Sequence, residues 1–263
     1  MPNNIIEVKN LSKNFGDIKA VRDISFNVGA GEIFAFLGPN GAGKTTTIKM
    51  LITLLHPSSG EIKINGFNPL TEKHNARRSF GIVFQDPSLD DELTAYENME
   101  FHAVMYGVDK ETRKKRIGEL LKFVELWDRR SEPVKHFSGG MKRRLEIARG
   151  LVHHPKILFL DEPTIGLDPQ TRNHLWQYVL KLNRDEKMTV FLTTHYMEEA
   201  EKVADKIAII DHGKIVKSGT SKELKKATKS RSLEEAFLKI TGHDMREEKA
   251  DAKDNIRFRR MGR

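Results

Sequence analysis

The chain has 263 residues, of which 38% are hydrophobic, and it contains no cysteine. This hydrophobic fraction supports a packed core and excludes a disordered or fibrous chain, while the missing cysteines exclude disulfides, thiolate metal sites and cysteine nucleophiles. The formal net charge of +8 suits a polyanionic partner such as nucleic acid or anionic lipid, but it suits a solvated surface rich in lysine and glutamate equally well.

The first part of the chain has a sequence pattern typical of β-strands, interrupted by one helical segment. Short β-branched segments separated by turn signals run up to residue 37. Residues 33–37 form an uninterrupted apolar run, which predicts a strand buried on both faces. The pattern then predicts a helix from about Gly43 to Leu55. Further strands are predicted at 61–66 and 80–84.

The middle of the chain, residues 88–155, has a helical pattern instead. Thr94 and Glu97 form a capping box at the start of a first helix, and a later helix is predicted to start near Ser138. Between them, apolar residues recur at helical spacing among lysines and arginines. Strand texture returns in four segments, at 156–160, 190–194, 206–210 and 214–217.

The order of these segments predicts an α/β fold in which a helical subdomain interrupts the core. The core comprises residues 1–87 and 156–220, with a mainly parallel sheet and an N-terminal antiparallel β subdomain. The helical subdomain comprises residues 88–155. A helical extension is predicted at 221–242, and a basic tail that we expect to be mobile at 243–263.

The segment from Gly38 to Thr45, here called the phosphate loop, matches G-x-x-x-x-G-K-[ST] at every fixed position. It lies between a predicted strand and a predicted helix, where glycines let backbone N–H groups surround phosphate oxygens and the helix N-terminus adds positive charge. Lys44 reaches the β- and γ-phosphates, and the Thr45 hydroxyl can bind Mg²⁺. The alternative is a glycine-rich turn with an exposed lysine. The motif predicts a P-loop NTPase core that binds a nucleoside triphosphate through Gly38, Pro39, Asn40, Gly41, Ala42, Gly43, Lys44, Thr45 and Thr46.

Two carboxylates, Asp161 and Glu162, follow the apolar segment at 156–160. A carboxylate at this position is costly to bury unless it meets a cation. Mg²⁺ beside the phosphates would supply that cation, so Asp161 is the predicted metal-side carboxylate. Glu162 can polarise the attacking water. The alternative is that both residues cap a helix beginning after Pro163.

The segment that begins Phe137-Ser138-Gly139-Gly140 resembles the signature motif of ATP-binding-cassette (ABC) proteins, usually written L-S-G-G-Q. The resemblance covers roughly residues 5–220, and further landmarks of that family appear in the right order. It implies that Phe15 stacks on adenine, that Gln85 is the Q-loop glutamine at the metal site, that Asp168 belongs to the D-loop, and that His195 is the switch histidine, catalytic together with Lys44 and Glu162. Taken singly, Phe15 could be a core aromatic, Gln85 a solvated loop residue and His195 a satisfied histidine at a strand end.

The residues of the signature segment are themselves suited to binding an anion. Ser138 is a good N-cap, and Gly139 and Gly140 expose backbone N–H groups at a helix start, which makes a second anion cradle. The resemblance implies that this cradle faces the γ-phosphate held by a second copy of the chain, in an ATP-dependent head-to-tail dimer. Met141 stands where the family usually has glutamine, and a thioether donates no hydrogen bond. Any contact made by the glutamine amide is therefore missing or replaced.

The basic residues after Met141, together with the segments at 93–98 and 232–237, resemble the ATPase subunits of daunorubicin-resistance-type (ABC-2) exporters. In that branch the membrane domain is a separate polypeptide, which fits a chain with no apolar run near the roughly 18 residues that a spanning helix needs. The resemblance implies an ATP-hydrolysing subunit that uses ATP and Mg²⁺ to export drugs, lipids or other amphipathic molecules. A separate integral membrane permease would dock near residues 85–93. Because no secretory signal is present, we expect a cytoplasmic protein, peripheral on the inner face of the cell membrane.

Two other functions fit parts of the pattern. A soluble ABC-type ATPase acting on nucleic acid or ribosomes would use the positive charge, but such relatives usually carry two cassettes or a long coiled-coil insertion. A small-molecule kinase would leave Ser138, Gly139, Gly140 and His195 without a role. We therefore expect no specific nucleic-acid partner.

Overall fold

The computed structural model describes residues 4–242. Within these residues the strands are β1 Asn4–Phe15, β2 Ile18–Gly29, β3 Ile33–Leu37, β4 Ser59–Ile64, β5 Phe80–Val83, β6 Ile157–Asp161, β7 Thr189–Thr194, β8 Lys206–Asp211 and β9 Lys214–Gly219. The helices are α1 Lys44–Leu51, α2 Lys73–Arg78, α3 Ala95–Met105, α4 Lys110–Phe123, α5 Gly139–Leu151, α6 Pro169–Glu186, α7 Met197–Val203, α8 Ser221–Thr228 and α9 Leu233–Thr241.

The strands form a central sheet and a smaller antiparallel sheet. The central sheet has the order β5-β6-β7-β3-β8-β9 and is parallel except for β9, which pairs antiparallel with β8. The smaller sheet has the order β2-β1-β4 and is antiparallel throughout. This arrangement confirms the predicted α/β fold with a mainly parallel sheet and an N-terminal antiparallel sheet.

The register of the central sheet brings three strand ends together. Strands β3, β6 and β7 are buried along their whole length, which explains the largely apolar sequences of β3 and β6. Leu37 at the end of β3 pairs with Thr194, and Asp161 at the end of β6 pairs with Thr193. The chain segments that follow β3, β6 and β7 therefore emerge side by side at one edge of the sheet.

An aromatic cluster joins the two sheets behind this edge. The ring of Phe26 on β2 stacks on that of Phe34 on β3, with 5.4 Å between their centroids, and Phe34 stacks on Phe191 of β7 at the same distance. Phe34 and Phe191 are fully buried. Since aromatic rings bury large areas and prefer offset stacking, this cluster holds β3 and β7 in place beneath the loops that follow them.

The helical segment packs on the central sheet through α5. Thr94 caps α3 in the predicted capping box with Glu97, and Ser138 caps α5. A Cβ atom on Gly81 of β5 would lie 2.1 Å from the carbonyl oxygen of Gly150 in α5. Only glycine allows this approach, so the C-terminal half of α5 lies directly against β5.

Several elements differ from the sequence prediction. Helix α1 ends at Leu51 and not at Leu55. Ile52 is its C-cap residue, and Thr53, the next residue, adopts a left-handed conformation with φ of 69°. Strands β1 and β2 are long, with 12 residues each and several bulges, where short segments were expected. The longest described helix, α6, has no counterpart in the prediction, although its buried Leu175, Val179 and Leu182 follow helical spacing.

One prediction concerns residues outside this range. The basic tail at 243–263 lies outside the described residues, so its predicted mobility stays a prediction. Within residues 4–242, no helix combines the length and apolar character needed to cross a membrane.

Candidate functional site

A cavity of about 310 Å³ lies at the sheet edge where β3, β6 and β7 end. The phosphate loop and the start of α1 form one wall, and the opposite wall comes from the segments after β5, β6 and β7. Residues named by the sequence motifs supply most of its lining: Pro39, Asn40, Gly41, Gly43, Lys44, Thr45, Thr46, Gln85, Glu162 and His195. Ala20 and Ile165, which no motif indicated, complete it.

Two residues of the phosphate loop, Gly38 and Ala42, pack the loop against the central sheet. A Cβ atom on Gly38 would lie 2.4 Å from the carbonyl oxygen of Ile210 on β8, so glycine is required here for packing against the sheet. Ala42 is buried, and its carbonyl accepts a hydrogen bond of 3.0 Å from the amide of Gly213 in the β8–β9 turn. Gly38 and Ala42 therefore hold the loop against β8 and β9, while the residues between them line the cavity.

The Lys44 ammonium is nearly enclosed, with the residue only 6% exposed. It donates hydrogen bonds to the carbonyl oxygens of Gly38, at 2.7 Å, and Pro39, at 3.3 Å. Its Nζ also lies 3.5 Å from Oε1 of Glu162. A buried ammonium is stable only with such partners, and here they fix a positive charge between the phosphate loop and the carboxylate opposite.

Glu162 and His195 form a buried pair across the cavity. Nδ1 of His195 lies 2.7 Å from Oε2 of Glu162 and donates to it, which leaves Nε2 for other contacts. Burial acts to raise the pKa of Glu162, but the hydrogen bond from His195 and the charge of Lys44 together lower it below its usual value. The carboxylate is therefore ionised at neutral pH.

The backbone also holds Glu162 in a set position. Glu162 has a left-handed conformation with φ of 50°, which is unusual for a residue with a long side chain. Its amide donates to the carbonyl oxygen and to Oγ1 of Thr193 on β7, at 3.2 and 3.1 Å. Strain of this kind persists where surrounding contacts enforce it, and such positions cluster at functional sites.

Asp161 lies beside Glu162 at the end of β6 and is also buried. Its Oδ1 accepts a hydrogen bond of 2.6 Å from Oγ1 of Thr193. Burial raises the pKa of Asp161, and the charge of Glu162 adds to this, while the Thr193 hydroxyl opposes it. Thr193 thus organises both carboxylates, although the sequence motifs gave it no role. The alternative that these carboxylates cap a following helix is wrong, because α6 begins at Pro169 and its cap is Asp168.

The predicted metal ligands suit a magnesium ion by their chemistry. Thr45 and Gln85 line the cavity and offer a hydroxyl and an amide oxygen, and Asp161 offers a carboxylate. Mg²⁺ prefers oxygen ligands and is usually held by one or two carboxylates together with substrate phosphates. Within residues 4–242 no cluster of three or more His, Cys, Asp or Glu side chains could hold a metal by itself. A hydroxyl, an amide oxygen and one carboxylate are a donor set that fits a magnesium ion whose other ligands come from a bound nucleotide.

Five further predicted site residues do not line this cavity: Phe15, Ser138, Gly139, Gly140 and Asp168. Phe15 is 48% exposed at the end of β1, so the alternative that it is a core aromatic is wrong. Ser138 accepts a hydrogen bond of 3.3 Å from the amide of Met141 and caps α5. Asp168 caps α6 by accepting from the amide and the hydroxyl of Thr171, at 3.0 and 2.6 Å.

The starts of α5 and α6 lie against each other. A Cβ atom on Gly140 would meet Cγ2 of Thr171 at 2.5 Å, and Gly139 faces Leu167. Met141 packs against the hydrophobic core, and its sulfur lies 3.3 Å from Nη1 of Arg129. Within one chain, the signature segment does not line the cavity of the phosphate loop.

Comparison with known proteins identifies the family. A model of the ABC transporter family matches residues 21–165, which is more than half of the chain. The chain belongs to the ABC transporter family. This ABC protein is 44% identical over 220 residues to the linearmycin resistance ATP-binding protein LnrL of Bacillus subtilis, covering 84% of this chain and 70% of LnrL. It is 42% identical over 243 residues to the daunorubicin/doxorubicin resistance ATP-binding protein DrrA of Streptomyces peucetius, covering 92% and 72% of the two chains.

A solved structure agrees with the sequence comparison. The dimeric ATP-binding cassette MJ0796 bound to ADP and Pi, in a post-hydrolysis state, superposes with a TM-score of 0.73 at 30% identity and covers 82% of this chain and 98% of its own. This chain is therefore an ATP-binding, ATP-hydrolysing ABC cassette. These relatives do not favour the alternative of a soluble ATPase acting on nucleic acid or ribosomes.

Proposed function

We propose that this ABC cassette is the ATPase subunit of an exporter whose membrane domain is a separate permease. The relatives named for resistance to linearmycin and to daunorubicin and doxorubicin support export of a drug, lipid or other amphipathic molecule. The lack of a spanning helix within residues 4–242 agrees with a membrane domain on another chain. The cassette would then lie peripherally at the inner face of the cell membrane, bound to its permease.

Hydrolysis would occur in the cavity of the phosphate loop, and the convergence of Lys44, Glu162 and His195 there carries this proposal. The triphosphate would draw the Lys44 ammonium from Glu162 towards the β- and γ-phosphates, which releases Oε1 of the carboxylate. Glu162 then orients the attacking water, and His195 holds the carboxylate through Nδ1 and turns Nε2 towards the γ-phosphate. A magnesium ion, held by Thr45, Gln85 and Asp161, would neutralise phosphate charge.

The adenine would stack on the half-exposed ring of Phe15. Ser138 and the amides of Gly139 and Gly140 would bind the γ-phosphate held by a second copy, and Asp168 would approach that same site. These four residues do not line the cavity of their own chain, which supports this assignment because it leaves them free to serve a partner. The dimeric state of the MJ0796 cassette supports the dimerisation that this head-to-tail arrangement requires.

The permease would dock beside the segment at 85–93 and against α3. Phe101, Val104 and Met105 are 65%, 53% and 70% exposed, and their spacing puts them on one face of this helix. Large apolar side chains grouped on a surface are typical of a protein interface. A permease helix with an apolar face would cover them.

Steady-state ATPase assays of the purified chain test the residue roles. We expect Mg²⁺-dependent hydrolysis, abolished in Lys44→Ala and reduced at least about 100-fold in kcat in Glu162→Gln, which keeps its nucleotide affinity. A Glu162→Gln variant that hydrolyses ATP at the parental rate would contradict the assignment of the base. Co-expression with a neighbouring reading frame of about six apolar spans tests the partner: the chain should enter the membrane fraction, and a Phe101→Ser/Met105→Ser variant should not.

A further inference from the structure

One face of α5 holds the loop that carries Gln85. Helix α5 begins at the signature segment, and three of its side chains, Arg143, Glu146 and Arg149, recur at a spacing of three and so share a face. All three bond residues 84–88, here called the Gln85 loop. The three side chains are here called the α5 clamp. None of the motifs in the sequence accounts for them.

The contacts of the α5 clamp fall on backbone groups at the two ends of the Gln85 loop. Arg143 donates through Nη1 to the carbonyl oxygen of Phe84, at 2.5 Å, and through Nη2 to that of Gln85, at 2.8 Å. Glu146 accepts from the amide of Ser88 at 2.8 Å, and Arg149 donates to the Ser88 carbonyl at 2.7 Å. The loop is thus fixed at both ends by one helix.

The central pair of the α5 clamp is buried. Arg143 is 5% exposed and Glu146 is 1% exposed, and their side chains form an ion pair of 2.9 Å. A buried ion pair contributes little net stability, since desolvating both charges offsets their attraction. Its guanidinium, however, is planar and rigid and gives precise geometry to the groups it bonds. These two residues therefore suit a positioning role better than a stabilising one.

The Gln85 loop meets the nucleotide cavity at the residue that Arg143 holds. Gln85 lines the cavity with Lys44 and Glu162, and its carbonyl oxygen is bonded to Arg143. Displacing this carbonyl would displace the amide side chain of the same residue. The close contact of Gly81 with Gly150 keeps α5 against β5, so the helix is a rigid support for the loop.

We propose that Arg143 and Glu146 are positioning residues for hydrolysis, which set the Gln85 side chain in the nucleotide site by holding the backbone of its loop. The proposal rests on the proposed role of Gln85 as a ligand of the magnesium ion. Arg149 holds the far end of the loop at Ser88. Because α5 starts at Ser138, the α5 clamp also links the Gln85 loop to the signature segment of the same chain.

The test is a double variant that removes the bonds from Arg143 to the carbonyl oxygens of Phe84 and Gln85 without leaving a buried charge. Arg143→Met/Glu146→Gln keeps both volumes, and the new amide oxygen at 146 still accepts from Ser88, so the fold is retained. We expect kcat for ATP hydrolysis to fall about tenfold while KM for ATP changes less than about threefold, since the phosphate loop still binds the nucleotide. Arg143→Lys, which keeps the charge and one donor, should recover part of the loss, and it serves alone if the double variant does not fold.

A mutant cycle with Gln85→Ala separates positioning from a general structural role. If the clamp acts through Gln85, the combined variant has the kcat of Gln85→Ala alone, because a residue already removed cannot be misplaced. Multiplied losses, or an unchanged kcat in the clamp variant, would overturn the proposal. Arg116→Met/Glu119→Gln is the matched control on α4: it removes an ion pair of the same spacing whose arginine also pairs with Glu186, and it should leave kcat unchanged.

The same measurements distinguish a failure of the proposed function of the site from a failure of the proposed role of the α5 clamp. A parent chain without Mg²⁺-dependent ATPase activity, or a Gln85→Ala variant with parental kcat, would contradict the proposed function of the site and the clamp with it. A parent with normal activity, an impaired Gln85→Ala and an unaffected clamp variant would overturn the clamp alone.

Discussion

Two glycines of the phosphate loop have different physical reasons for being glycine, and alanine substitutions separate them. A Cβ atom on Gly38 would lie 2.4 Å from the carbonyl oxygen of Ile210 and 2.8 Å from its Cγ2. Contacts to backbone below 3.0 Å force a strand or loop to move, and overpacking of this kind costs about 3 kcal/mol. On Gly41 the same atom meets nothing within 4 Å, and its φ of 78° costs an alanine about 1 kcal/mol.

The two variants should therefore differ in opposite directions in two assays. Urea unfolding without nucleotide should show Gly38→Ala to be about 2 kcal/mol less stable than Gly41→Ala, at equal m-values. Titration with ATP should show the reverse order: Gly41→Ala should lose more affinity for ATP than Gly38→Ala. The reason is that Gly41 lines the cavity, while Gly38 packs against the sheet. Equal stability of the two variants would refute the reasoning that Gly38 is set by packing against β8.

Three further outcomes follow from the geometry of the site. Phe15→Ala should raise KM for ATP about three- to tenfold by losing a stacking contact, with unfolding free energy unchanged because the ring is half exposed, as KM and urea measurements would show. Ser138→Ala should destabilise the chain by about 1 kcal/mol through loss of the α5 cap, measured by urea unfolding. Because the pKa of Glu162 is lowered in the folded state, its charge stabilises the fold above the unfolded pKa, and this contribution disappears as the pH falls through the folded pKa. The stability difference between the parent and Glu162→Gln should therefore shrink on acidification, and a difference that grows would contradict the paired carboxylate.

The sequence predicts the cavity well because its residues follow local rules. The phosphate loop is one contiguous motif, and the carboxylates and His195 each follow an apolar run that could be recognised as a strand. Parallel strands place their carboxyl ends at one edge, which is why these three distant segments meet there. The pairing of Leu37 with Thr194 and of Asp161 with Thr193 shows how the register achieves this.

The residues that the sequence did not predict act across long separations. The Thr193 hydroxyl bonds Asp161 from a strand 32 positions away, and Arg143 bonds Gln85 across 58 positions. Threonine is common in strands and arginine is common in helices. Neither residue therefore indicates from its local sequence that it contacts the site. The early end of α1 is a local feature that was missed: Thr53 adopts a left-handed conformation, and the amides of Thr53 and Leu54 donate to the carbonyls of Met50 and Lys49.

The central claim is that ATP is held between the phosphate loop of one copy and the signature segment of another. The most direct measurement is the solution mass of Glu162→Gln, by light scattering after size-exclusion chromatography, with Mg²⁺ and ATP. We predict a dimer with ATP, a monomer with ADP, and a monomer with ATP when Ser138→Arg is added to the same chain. A Glu162→Gln chain that binds ATP and stays monomeric, or a dimer that survives Ser138→Arg, would contradict the shared site.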